Sequence, residues 1–177
     1  MERIKQVIKQ EEAEKILNQY AAQKNKGSFE IFHVEEANIP YYLLNVEMRI
    51  KRAFGLKPKV IEHVYWVNAV DGEMIRTKEE PEKEPIQTGT VIEQRLDRKK
   101  CFQIAEDQAF KHATRFYKSF WSPEIIVKEK EHLCIPYWVF SVKFENTEQE
   151  KRILINSYSG DVVGHLKKSQ EIYQKVI

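Results

Sequence analysis

Cysteine is the scarcest informative residue in this chain: Cys101 and Cys134 stand alone among 177 residues. Two cysteines without CxxC spacing exclude a disulfide framework and predict reduced, partly buried thiols, as in a cytoplasmic protein. Glycine and proline are sparse, six of each, and no glycine falls in a GxGxxG, P-loop or GxSxG pattern, which leaves nucleotide cradles and nucleophile elbows without their motifs. Neither charge dominates. Lys and Arg number 29 against 27 Asp and Glu, a net charge of +2, so the chain as a whole has no general pull toward nucleic acid or acidic membrane. No apolar run approaches the roughly 18 residues that cross a bilayer, and the opening residues 1–10 lack the apolar core of a secretory signal. A composition 42% hydrophobic and 32% charged excludes a disordered chain. These absences predict a soluble, cytoplasmic, globular protein.

What is present is a repetition. Ile39-Pro40-Tyr41-Tyr42-Leu43-Leu44-Asn45-Val46 returns as Ile135-Pro136-Tyr137-Trp138-Val139-Phe140-Ser141-Val142. Alternate positions pair Tyr42 with Trp138, Leu44 with Phe140, Val46 with Val142 and Met48 with Phe144, all apolar. The positions between pair Asn45 with Ser141 and Glu47 with Lys143, all polar. A one-residue slip would exchange the two faces, so agreement at every second position identifies a strand present twice, with one face for a core.

Around this strand the two halves repeat a scheme. Residues 3–24 read as an amphipathic helix, with Ile4, Val7, Ile8, Ile16, Leu17 and Tyr20 on the apolar side. A strand at 29–34 follows, then a polar turn at Glu35, Glu36 and Asn38, the repeated strand from Tyr41, a loop around Phe54 to Pro58, and a return at 60–70 closed by Asp71-Gly72. The second half offers a helix at 97–120, a strand at 124–128, the repeated strand, and a return at 151–158 closed by Ser159-Gly160-Asp161, with a final short helix at 167–177. Its hairpin loop is shorter than the one at Phe54. Lys78-Glu79-Glu80-Pro81-Glu82-Lys83-Glu84-Pro85 is charged, Pro-containing and nearly free of apolar residues, the composition of a linker. The expected fold is therefore α+β, as two tandem repeats, each a helix packed on a small antiparallel β-sheet: residues 1–77, a linker and lead-in at 78–96, and residues 97–177.

Pro40-Tyr41-Tyr42 with Val67-Asn68-Ala69-Val70-Asp71-Gly72-Glu73-Met74-Ile75, and Pro136-Tyr137-Trp138 with Ile155-Asn156-Ser157-Tyr158-Ser159-Gly160-Asp161-Val162-Val163, resemble two copies of the PepSY domain. The resemblance covers most of the chain. It implies small helix-on-sheet modules of the kind found in metallopeptidase propeptides and exported bacterial proteins, with a protein-binding or inhibitory role and no catalytic residues. The chain departs from exported members in its missing signal.

The residues themselves offer little chemistry. His33, His63, His112, His132 and His165 form no HExxH and no zinc-finger spacing; His132 and Cys134 share one side of a strand, but no second pair completes a metal site. The carboxylates at Glu11-Glu12-Glu14 and Glu79-Glu80-Glu82-Glu84 read as a solvated helix face and a linker. No catalytic, cofactor or metal site is expected, and the chain reads as a non-enzymatic protein-binding or regulatory module. Phe54 and Leu56, apolar residues in a loop the second half lacks, and Trp121 at a helix end are candidate partner contacts. Lys51, Arg52, Lys57 and Lys59 are candidate phosphate contacts, as is Arg98-Lys99-Lys100, and the first group, beside Phe54, supports an alternative nucleic-acid reading. A small-ligand or enzyme site between the repeats is a further alternative. Sheet edges could join copies or add a partner strand.

Overall fold

The computed structural model describes residues 1–24, 26–78, 80–117, 121–145, 150–163 and 173. Among them the chain forms strand β1 (Glu2–Ile4), helix α1 (Gln10–Gln23), strands β2 (Phe29–Ile50), β3 (Lys59–Asn68), β4 (Met74–Thr77), β5 (Lys83–Pro85) and β6 (Thr90–Val91), helix α2 (Arg98–Tyr117), and strands β7 (Glu124–Phe144), β8 (Glu150–Asn156) and β9 (Val162–Val163).

The expected pair of tandem helix-on-sheet repeats is not what forms. The strands belong to one nine-stranded mixed sheet whose main path runs β4-β3-β2-β7-β1-β5, with β6 beside β2, and β8 and β9 continuing from β7. It is mixed because β1 runs parallel to β7 and β6 parallel to β2, while the hairpin pairs are antiparallel. The two long strands are antiparallel as well: Ser28 meets Glu145, Tyr42 meets His132 and Arg49 meets Glu124, one number falling as the other rises.

Two compact units take their segments from both halves. One holds Met1–Pro40, Pro81–Glu93 and Leu133–Ile177; the other holds Tyr41–Glu80 and Gln94–His132. In the first, Ala13, Leu17 and Ala21 of α1 pack against Phe140, Val142 and Phe144 of β7 and Ile153 and Ile155 of β8. In the second, Cys101, Ala105, Ala109 and Ala113 of α2 pack against Tyr42, Leu44, Val46 and Met48 of β2 and Tyr65 and Val67 of β3. Each helix therefore covers the hairpin of the other half. The packing residues recur every four positions, one face of a 3.6-residue helix, and their small size in α2 lets that helix lie close to the strands. Glu11 and Glu12 oppose the dipole at the start of α1, and Asp97 Oδ1 accepts the Lys100 N–H at 2.7 Å at the start of α2.

Three local expectations change. The first helix starts at Gln10, because Glu2–Ile4 extends to pair antiparallel with Lys83–Pro85 and Arg3 sits opposite Cys134. The turn expected at Glu35 to Asn38 is absent, and β2 runs straight through it. Its buried polar groups are satisfied there: Arg3 pairs with Glu36, Arg3 Nη1 donates to Asn38 Oδ1 at 3.2 Å, and Asn38 Nδ2 donates to the Thr88 carbonyl at 2.8 Å. The charged segment from 78 onward supplies β5, held by Arg3–Glu84 at 2.9 Å and Lys5–Glu82 at 2.6 Å, and β6, which pairs with β2. The final helix expected at 167–177 lies outside the described residues except Tyr173, which is buried; residues 118–120 at the end of the second helix lie outside them as well.

Candidate functional site

The unit built on α2 carries a depression of about 750 Å³ lined by β2, β3, β4 and β7. Strand alternation decides what lines it. Tyr42, Leu44, Val46 and Met48 point at α2, so Asn45 and Glu47 point into the depression, joined by Glu62 and Val64 of β3, Thr77 of β4, and Ile126 and Lys128 of β7. Register sets Asn45 opposite Val64, Val64 opposite Thr77, and Glu47 opposite Glu62.

The last pair is chemically unusual. Like charges directly opposite on one sheet face repel. The equivalent position in the other half, by the repeat, is Lys143 opposite Glu150, an attractive pair. Glu47 gains relief from Arg49, which contacts it, whereas Glu62 has no cationic partner among the described residues. A second difference accompanies the first. Asn45 is exposed, whereas its counterpart Ser141 is buried. The depression is thus lined by two adjacent carboxylates, Glu47 and Glu62, by the apolar Val46, Val64 and Ile126, by His63, and by the cations Arg76, Lys78 and Lys128. A second depression of about 690 Å³, in the unit built on α1, runs over Asn18, Ala21, Ala22, Gly27, Ser28 and Phe29 and has no ionisable lining.

The core side of the same sheet holds a histidine cluster that sequence reasoning did not join. His63 and His112 have ring centres 5.2 Å apart, and His63 Nδ1 lies 3.1 Å from Tyr65 Oη. Burial, and then the neighbouring Arg76 charge, push both imidazoles below the ordinary histidine value. Only the packing of β3 under α2 shows that His63 meets His112.

His132 and Cys134 do not act together. His132 stacks on Tyr42 at 4.3 Å between ring centres, with its imidazole pushed down by burial. Cys134 Sγ lies 3.3 Å from Met1 Sδ. Burial raises both thiols, Cys101 and Cys134, to about 11, so neither is a nucleophile at neutral pH. Among the described residues no three His, Cys, Asp or Glu side chains gather as metal ligands. No described helix is long and apolar enough to cross a membrane.

The other candidate contacts lie away from the depression. Phe54 and Leu56 sit on the loop between β2 and β3, 99% and 58% exposed, with Lys51, Arg52, Lys57 and Lys59 around them, all exposed. Trp121 is 46% exposed in the segment between α2 and β7. Arg98 pairs with Glu129 and lies over the Phe102 ring at 4.8 Å. Comparison with known proteins gives no match to any family model, curated protein or solved structure.

Proposed function

We propose that this chain is a non-enzymatic protein-binding module, and that the depression over β2, β3, β4 and β7 receives an extended, basic segment of its partner. The observation that carries this reading is the Glu47–Glu62 pair. Two opposed carboxylates cost stability in the free protein, and the matching position of the other half shows that the fold accepts an attractive Lys143–Glu150 pair instead. A lysine or arginine from a partner placed between them would turn the repulsion into a charge-assisted contact. Val64 and Ile126 supply the apolar area that such a segment buries, and the short β4 at the end of the sheet's main path offers backbone groups for strand addition.

The PepSY-like motifs in both halves favour the same class of function, a binding or inhibitory role toward another protein. A cytoplasmic setting belongs to this proposal; it rests on the two unpaired cysteines.

The test is affinity capture with the whole chain, with chemical cross-linking to identify the segment bound. Glu62→Lys and Val64→Arg should each abolish capture of the same partner while leaving the folded spectrum unchanged, since both side chains point away from the core. Capture that survives both substitutions would overturn the reading.

A further inference from the structure

We propose that the tip of the β2–β3 hairpin is a wedge for an anionic lipid bilayer surface. The chain's net charge of +2 hides a strong local concentration. Between Ile50 and Glu62 the sequence carries Lys51, Arg52, Lys57 and Lys59 and no acidic residue, so the rest of the chain is net acidic. Among the described residues none of these four cations has a carboxylate partner; Lys59 Nζ lies 4.7 Å over the Tyr117 ring, a contact that leaves its charge intact.

At the centre of this basic ring stands Phe54. It is 99% exposed and the only described non-glycine residue with a positive φ, 61°. A bulky side chain in the left-handed region is strained, and here the conformation places its ring wholly in solvent. Leu56 and Val60, 58% and 52% exposed, extend the apolar patch. Two contacts bring further apolar surface to the same end of this unit. Arg49 lies 3.8 Å from Glu124, which sets the start of β7, three residues after Trp121, beside the end of β2. Lys59 over Tyr117 sets the end of α2, with Phe116 63% exposed, beside the start of β3.

Apolar residues at the centre, lysines and arginines around them, and a tryptophan at the side match the interface of an acidic membrane. The apolar tips enter the acyl boundary while the cations reach headgroup phosphates along their aliphatic stems. Single-stranded nucleic acid fits the patch less well. Leu56 and Val60 have no ring to stack on a base. The inference is independent of the depression on the sheet face, because none of the depression's lining residues belongs to the tip.

The experiment is co-sedimentation of the whole chain with vesicles of phosphatidylcholine alone and of phosphatidylcholine mixed equally with phosphatidylglycerol, at low and high salt. The chain should sediment with the mixed vesicles and not with the neutral ones, and binding should fall as salt rises. Phe54→Ala with Leu56→Ala should weaken it by about tenfold or more through lost apolar burial, and Lys51→Glu with Lys57→Glu should abolish it. Both double variants alter only exposed positions, so an unchanged circular dichroism spectrum certifies the fold. Absence of binding to the mixed vesicles, equal binding to both vesicle types, or indifference to the Phe54–Leu56 double variant would each overturn the proposal. So would preferential binding of labelled single-stranded DNA or RNA that is lost with the Lys51–Lys57 double variant.

Discussion

Asn68 and Tyr41 face each other across β2 and β3, and the buried Asn68 Nδ2 donates to the Tyr41 hydroxyl at 3.1 Å. The same asparagine's Oδ1 accepts the Val70 N–H at 2.8 Å, and its carbonyl accepts the Gly72 N–H at 2.9 Å. One side chain thus fixes both the strand register and the turn that follows. Asn156 repeats the arrangement in the other half, with Tyr137 Oη at 3.3 Å, the Tyr158 N–H at 2.8 Å and the Gly160 N–H at 2.8 Å. Gly72 and Gly160 share a φ of 79°, and a Cβ on either would press a helix isoleucine, Ile104 at 3.0 Å or Ile16 at 3.3 Å.

These equal geometries predict equal energetics. Tyr41→Phe and Tyr137→Phe should each destabilise by about 1 kcal/mol, the net worth of one buried hydrogen bond. Asn68→Ala and Asn156→Ala should each cost about 2–3 kcal/mol, because buried backbone N–H groups lose their acceptor along with the tyrosine contact. Urea unfolding monitored by circular dichroism measures all four. A tyrosine variant as costly as its asparagine partner would show that the phenol, rather than the turn, holds the hairpin.

The thiols give a chemical prediction. Cys101 and Cys134 are raised to about 11 by burial, so at pH 8 the thiolate is a very small fraction of either, and access is blocked as well. A thiol reagent should label neither in the native chain over the time in which it labels both in denaturant. Rapid native labelling of one cysteine would mean that its unit opens locally without global unfolding.

Strand faces were legible in the sequence, and the partners of those faces were not. Alternation from Tyr42 to Met48 named the side that meets a helix, because burial on a strand has a period of two. Nothing in that pattern states which helix arrives, and the answer is α2 from the distant half. The same limit applied to α1, whose Leu17 stripe is satisfied by any apolar sheet of the right width. The stretch Glu35 to Asn38 read as a turn because charged residues and asparagine favour turns locally. It is extended because Arg3, more than thirty residues earlier, supplies the partner that Glu36 and Asn38 need within a buried strand. Of the sites, the exposed Phe54 and its lysines were legible as a loop peculiar to one half. The Glu47–Glu62 pair required the register of β2 against β3, which no spacing within either strand contains.

The histidine cluster predicts a pH dependence with a definite sign. His63 and His112 have folded-state pKa values below the ordinary 6.5, through burial and then Arg76. Above about pH 6.5 both are neutral in the folded and unfolded chain, and their contribution to stability is at its full value. As pH falls through 6.5 toward the lowered folded values, the unfolded chain takes up protons first, so stability is lost across that window. Replacing both with glutamine should remove this part of the acid-side slope, which is measured as the difference in urea midpoint between the variant and the parent from pH 8 to pH 5. Arg76→Gln should shrink it by relieving the imidazoles of a like charge. Parallel curves for parent and double variant would show that the ring contacts, rather than protonation, matter there.

The exchange of helices between halves predicts how the chain behaves when divided. Leu17 of α1 is fully buried in a cluster with Phe140, Val142, Ile153 and Ile155 of the second half, while Ala105 and Ala109 of α2 lie against Leu44, Val46 and Tyr65 of the first. A fragment of residues 1–77 therefore leaves the α1 stripe without its sheet and the β2–β3 hairpin without its helix, and should lack a cooperative thermal transition. The fragment 78–177 is deficient in the complementary way. Mixed in equal amounts, the two should regain the parent spectrum, because each supplies the face the other lacks. Within the whole chain, Leu17→Ala should cost about 2–5 kcal/mol through the cavity it leaves. Its earliest effect should be faster hydrogen exchange at Ile153 to Ile155 of β8, with the amides of β3 protected longer. A self-contained first half would give the opposite pattern: residues 1–77 folding alone, and Leu17→Ala loosening β3 before β8.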